Sequence, residues 1–233
     1  SFLCLFCTRE ITMTKLFYVL FITLACISGI FGNKSKCMIQ PVEDIPKAWK
    51  DMAGPCIRLM KLQVTTEMKA AMTYLAMGAH FARDTINRPG FSKFFFESAS
   101  EERQHAIKII EYLLMRGQLT KELSKLLTYP LVNKTNSTHS DTMSGEAALK
   151  EALKLETQVT QSIREIIITC ETPKGINFND YHLVDYLTSD FLDEQYKGQR
   201  DLAGKISTLG KMMKSHGPLG EFLFDKKLLH GEV

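Results

Sequence analysis

Four long stretches of the chain carry apolar residues at seven-residue steps, and each line is broken once, near its middle, by a polar side chain. Met60, Glu67, Tyr74 and Phe81 share one line, Phe95, Glu102 and Ile109 a second, and Leu149, Glu156, Ile163 and Cys170 a third. On the last stretch the series Val184, Leu187, Phe191, Gly198 and Leu202 is interrupted by Gln195. Steps of seven return to nearly the same side of an α-helix, so each line is a face that must be covered by other helices. His105 lies one turn beyond Glu102 and faces the same way. Packing the four faces together brings the four breaks to one level.

The helix limits follow from breakers and caps. A first helix is predicted from about Pro55 to Arg83, before "NRPG", and a second from Phe91 or Ser92 to Arg116, stopped by Gly117. A third runs from Ser144, its candidate N-cap, to Cys170 before "ETPKG", and a fourth from about Asp180 to Lys211. A short fifth, "GEFLFDKKLL", follows "SHGP", and no convincing alternating strand is present. The fold class is therefore all-α: two short-linked helix pairs joined by a long connection from Gln118 to Met143, a four-helix bundle with a tail helix. About 25 residues can return along a whole bundle, so the second and third helices are expected to run parallel. The expected division is 1–32 as upstream residues and signal peptide, 33–54 as an N-terminal extension, 55–212 as the bundle, and 213–233 as the short C-terminal helix and tail.

The breaks carry the chemistry. Each isolated ionised carboxylate in a packed interior loses solvation worth several kcal/mol or more. No Lys or Arg recurs on the inward lines, which leaves protons or metal cations to neutralise Glu67, Glu102 and Glu156. Oxygen donors with a single imidazole suit iron, manganese or zinc better than a thiolate-seeking ion. Glu101 and Arg103 read as a solvated helix face, and His80, His139, His182, His216 and His230 have no partner at useful spacing.

Before the bundle, Met13 and Lys15 precede the apolar run "LFYVLFITLACISGIF", the order of a secretory signal peptide. The run is shorter than the roughly 20 residues that span a bilayer, so cleavage is expected, with no stable membrane insertion. Cleavage would leave Cys37, Cys56 and Cys170. Three thiols in an oxidising compartment imply one internal bridge and one cysteine for another chain, with buried free thiols, Cys170 above all, as the alternative. Sequons at Asn33, Asn133 and Asn136 fit the same compartment. With 233 residues, 45% hydrophobic and 24% charged, the chain supports one good core. A net charge of +3 gives no patch for nucleic acid.

The stretches "MTYLAMGAHFARD", "RPGFSKFFFESASEERQHA", "ALKLETQVTQSI", "FLDEQYKGQRDLAGKI" and "GEFLFDKKLL" resemble a ferritin subunit of the secreted, heavy-chain-like type of insects and related arthropods. The resemblance covers nearly all of Pro55 to Leu229. It implies a ferroxidase that oxidises Fe(II) to Fe(III) with dioxygen at a di-iron centre inside each subunit. Glu67, Glu102 and His105 would hold one iron, and Glu102 would bridge to a second held by Glu156. Gln195 would lie beside the second iron and Tyr74 would hydrogen-bond close to the pair, all matching the catalytic heavy type. Di-iron carboxylate bundles carry two Glu-x-x-His motifs, whereas this chain has one, so a weaker second position should release its iron to a mineral.

The family further implies iron ions and dioxygen as partners and a hollow homo- or hetero-oligomeric shell of twenty-four subunits, expected to include light-type subunits. At the three-fold iron channel this chain has Asp185 but Thr188, and the inner-surface nucleation carboxylates correspond to Glu101, Gln104 and Ile107, of which one is acidic. Nucleation is therefore expected to depend on a light-type partner. Two other classes compete with this reading. A non-catalytic structural subunit would lack the interior acids, and a secreted helical cytokine would have an apolar midplane.

Overall fold

Pro55 opens the first helix, where its missing N–H costs nothing, and α1 runs Gly54–Ala82. The computed structural model describes residues 46–118, 126, 143–172, 175 and 179–233. The signal run, Cys37, the sequons at Asn33, Asn133 and Asn136, His139 and most of the connection between the second and third helices lie outside the described residues. A 3₁₀ turn, Lys47–Trp49, precedes α1, and Trp49 Nε1 donates to the Met115 carbonyl at 2.9 Å.

The chain reverses at Asn87, which takes a left-handed φ of 48° that asparagine tolerates better than most residues. Pro89 then starts α2, Pro89–Met115. Ser144 caps α3, Gly145–Glu171, its side chain accepting from the Ala147 N–H at 3.2 Å. Asp180 caps α4, Tyr181–Tyr186, by accepting from the Leu183 N–H. A π-helical segment, Leu187–Leu192, joins α4 to α5, Asp193–His216, so that the three form the fourth rod of the bundle. A last helix, α6, spans Pro218–Leu229. Among the described residues there is no strand, and no helix is long and apolar enough to cross a membrane.

Two apolar clusters divide the bundle interior. One gathers Cys56, Met60, Ile109, Ile163, Cys170 and Leu183, and the other gathers Phe81, Phe91, Leu149, Leu209 and Phe224. Thus α1 and the fourth rod run from the first cluster to the second, while α2 and α3 both run the opposite way. The second and third helices are parallel, as the long connection requires. Truncating a buried residue such as Ile163 or Leu149 to Ala would cost about 2–5 kcal/mol.

The fourth rod departs from the sequence expectation. Leu183, Leu187, Phe191 and Gln195 are buried at steps of four, while Val184 is half-buried and Gly198 is exposed. Four residues overshoot a regular helical turn, and the wider π turn absorbs that excess. Periodicity alone could not place Gly198, because it assumes 3.6 residues per turn throughout.

Cys170 is not a free thiol. It is bridged to Cys56, with Cα atoms 5.6 Å apart, joining the start of α1 to the end of α3 across 114 residues of sequence. Such a crosslink stabilises a fold by about 2–4 kcal/mol, mainly by restricting the unfolded chain.

Two acids on α6 cap other helices. Asp225 Oδ1 accepts from the Phe91 N–H and Glu221 Oε2 from the Gly145 N–H, each at 3.0 Å, at the N-termini of α2 and α3. Gly90 has to be glycine here, because a Cβ would stand 2.0 Å from the Asp225 carbonyl oxygen.

Candidate metal centre

Between the two apolar clusters lies one polar layer. Glu67 from α1, Glu102 and His105 from α2, Glu156 from α3 and Gln195 from α5 are all buried, with exposures from 0% to 8%. The sequence places them there because each replaces one apolar residue on an inward line, and the Phe, Met and Ile neighbours above and below carry the packing. Tyr74, one heptad beyond Glu67, is buried in the same region.

Glu67, Glu102 and His105 each offer a ligand atom, and these atoms lie within 4.8 Å of one another. His105 Nδ1 is 3.2 Å from Glu102 Oε2. Tyr74 donates its hydroxyl proton to Glu156 Oε1, and Gln63 Nε2 donates to Glu67 Oε1 at 2.7 Å. Gln63 is itself fixed by Ser162, whose hydroxyl donates to Gln63 Oε1 at 2.7 Å. Glu67 Oε2 and His105 Nε2 are buried with no hydrogen-bond partner. An unmatched buried carboxylate oxygen beside a buried imidazole nitrogen fits a cation-binding group.

A cavity of about 100 Å³ connects Tyr74, Glu102, His105, Glu156 and Gln195 to a rim of Glu101, Glu194 and Asp201. None of the described residues lining it is Lys or Arg. At the rim, Lys108 pairs with Glu194 and Lys205 with Asp201.

Charge repulsion follows from that inventory. Burial, and then the negative charge of Glu102, hold the Glu67 carboxyl well above the usual carboxylate range. Burial and then Glu156 push Glu102 up to about 8. Burial, and then Glu156, raise the Tyr74 phenol far above its usual value, so it stays a donor. The layer therefore stays buried either by holding protons or by exchanging them for a divalent cation.

The structure brings Glu67, Glu102 and His105 into one group, with Glu156 reached through Tyr74 and Gln195 on the same cavity. Glu101 is exposed, as a solvated helix face requires, and it also borders the layer. Its carboxylate groups with His105 and Glu194 within 4.8 Å, and His105 Nε2 is 3.4 Å from Glu194 Oε2. Asp185, Thr188 and Gln104 are exposed and Ile107 is half-buried. The sequence reading missed Gln63, Glu194 and Thr160. Gln63 was discoverable, because it stands one turn before Glu67 on the same face; Thr160, which touches Gln195, looks like any helical threonine.

Comparison with known proteins places this geometry. The Ferritin-like domain family profile matches residues 57–212. The chain is similar to a ferritin heavy chain of Papilio xuthus, 54% identical over 92% of this chain and 99% of that one. It is also similar to a ferritin heavy chain of Drosophila melanogaster, 52% identical over 88% of this chain and 95% of that one. Among solved structures, the secreted ferritin of Trichoplusia ni superposes with a TM-score of 0.74 at 55% identity, covering 85% of this chain and 100% of that chain.

Proposed function

The chain belongs to the ferritin family, and from that premise we propose that the polar layer of its bundle is the place where iron is oxidised. The protein stores iron: it is a heavy-type subunit that oxidises Fe(II) to Fe(III) with dioxygen and deposits the product as mineral inside a multi-subunit shell. What is proposed is the assignment of roles. Glu67, Glu102 and His105 take one Fe(II), Glu102 reaches a second ion held by Glu156, and Gln195 lies beside that second ion. The observation that carries this is the group of Glu67, Glu102 and His105 within 4.8 Å, all buried, with no Lys or Arg among the described residues of the cavity that Glu102 and His105 line.

The residues account for the chemistry. Two Fe(II) supply one electron each, and with two protons these reduce dioxygen to hydrogen peroxide. Protons released when the ions displace them from Glu67 and Glu102 are available for that step. Carboxylate oxygens are hard donors and favour Fe(III) over Fe(II), which lowers the cost of losing each electron. Tyr74 and Gln63 hold Glu156 and Glu67 in place through their hydrogen bonds. The rim acids Glu101 and Glu194 give a cation a path out of the layer that keeps it near carboxylate oxygen.

The shell is assigned twenty-four subunits with light-type partners, and the chain is assigned to the secretory route. Support for the route comes from the run 13–31 and from likeness to a secreted ferritin. The test of the site is stopped-flow Fe(II) oxidation by the assembled shell. Replacing Glu102→Gln and His105→Gln together should abolish the fast phase with assembly intact, and a wild-type rate in that variant would remove the assignment.

A further inference from the structure

Gln195 is held by a hydroxyl that faces two acceptors. Thr160 Oγ1 donates to Gln195 Oε1 at 2.9 Å and also lies 2.8 Å from the carbonyl oxygen of Glu156, one turn back on α3. Gln199 Nε2 donates to the same hydroxyl oxygen. A threonine hydroxyl has one proton and two lone pairs, so the two acceptors compete for a single proton.

The direction of that proton decides which end of the Gln195 amide faces the cavity shared with Glu102 and Glu156. With Thr160 donating to Oε1, the N–H end of the amide is the one left to that cavity, and an amide N–H suits a carboxylate neighbour rather than a cation. A cation needs the other end, because only the amide oxygen offers lone pairs to a hard metal ion. The terminal torsion of glutamine is broad and nearly two-fold, so a half-turn exchanges the ends at little cost. In the turned state Gln195 Nε2 donates to Thr160, and Thr160 gives its proton to the Glu156 carbonyl. Gln199 continues to donate, so the hydroxyl accepts twice and donates once in a fully satisfied arrangement.

We propose that Thr160 is a positioning residue whose hydroxyl lets Gln195 turn its amide oxygen onto the second metal ion without loss of a hydrogen bond. The same glutamine then serves the layer with and without metal, in a chain with no second Glu-x-x-His motif. This rests on the metal-centre reading above.

Zn²⁺, a redox-inert divalent probe, tests it by calorimetric titration of the assembled, metal-free shell. Wild type should bind two ions per subunit that depend on Glu102. Thr160→Val, which keeps the shape and removes the hydroxyl, should weaken the second ion about tenfold, the worth of one good hydrogen bond, and leave the first unmoved. Thr160→Ser should restore it. In a Gln195→Glu background the two carboxylate oxygens are equivalent and no turn is needed, so Thr160→Val should then cost less than about threefold. An equal loss in both backgrounds, no loss with Gln195 present, or a single Glu102-dependent ion in wild type overturns the proposal. A variant-free check is the crystal structure of the Zn²⁺-loaded wild type. The Gln195 oxygen should lie about 2.0–2.2 Å from the metal, with Thr160 against the other end of the amide; water in its place overturns the proposal. If Glu102→Gln leaves Zn²⁺ binding untouched, the metal centre itself fails, independently of Thr160.

Discussion

Apart from Asp225, which accepts from the Phe91 N–H at the start of α2, buried acids occur at two places in this structure, and their surroundings differ. At the end near the start of α4, Asp180 is 2% exposed and meets the guanidinium of Arg116 through two bonds, 3.0 and 3.2 Å long. Arg116 also donates to Asp51 at 2.7 Å and to the Tyr112 hydroxyl at 2.7 Å. That cluster carries its own counter-charge and is complete. In the midplane layer Glu67, Glu102 and Glu156 are also buried, yet the cavity that Glu102 and Glu156 share has no Lys or Arg among its described lining residues, and Glu67 Oε2 has no hydrogen-bond partner. One set of carboxylates meets a cation that the protein supplies; for the other, the proposal above is that the cation is a metal ion.

The contrast breaks most sharply under substitution. Arg116→Ala leaves Asp180 buried without a partner and should destabilise the fold by about 3–5 kcal/mol in chemical denaturation of the metal-free protein. Glu102→Gln should do the reverse, raising metal-free stability near pH 8 by about 1–3 kcal/mol, because it removes a repelled charge. Equal destabilisation by both would erase the distinction between the two sites.

The pH dependence sharpens the same difference. Glu102 has its folded pKa raised from an ordinary 4.5 to about 8, so between those values the folded state holds a proton that the unfolded chain does not. Stability from this group is complete below pH 4.5 and is lost as pH rises through about 8, the opposite of a salt-bridged carboxylate. Thermal midpoints of the metal-free protein should therefore fall across that window in wild type, and fall less in Glu102→Gln. The smallest effect expected is that of Tyr74→Phe, which removes the donor to Glu156 Oε1. It should cost about 0.5–1.5 kcal/mol of stability and slow Fe(II) oxidation by no more than about tenfold.

How much of this was legible in the sequence varied from helix to helix. On α1, α2 and α3 a regular seven-residue step located Glu67, Glu102 and Glu156 on buried lines, with His105 one turn beyond Glu102, because nothing in those helices disturbs the turn. On the fourth rod the same rule put Gly198 inward and missed Leu183, since the π segment Leu187–Leu192 shifts the phase just before Gln195. Local spacing does not announce a widened turn. The Cys56–Cys170 pairing needed the topology, because only the bundle brings the start of α1 to the end of α3. Glu101 and Glu194 each look like ordinary surface acids, and their meeting at His105 depends on the approach of two helices distant in sequence.

The central claim, that the midplane acids lack a counter-charge because they await metal, is tested most directly by anaerobic Fe(II) titration of the assembled, metal-free shell. Wild type should take up two tightly held Fe(II) per subunit with release of protons, and its thermal midpoint should rise with them. The Glu102→Gln, His105→Gln variant should lose that uptake and that rise while remaining assembled. Undiminished Fe(II) uptake by the variant, or a wild-type midpoint indifferent to Fe(II), would contradict the claim.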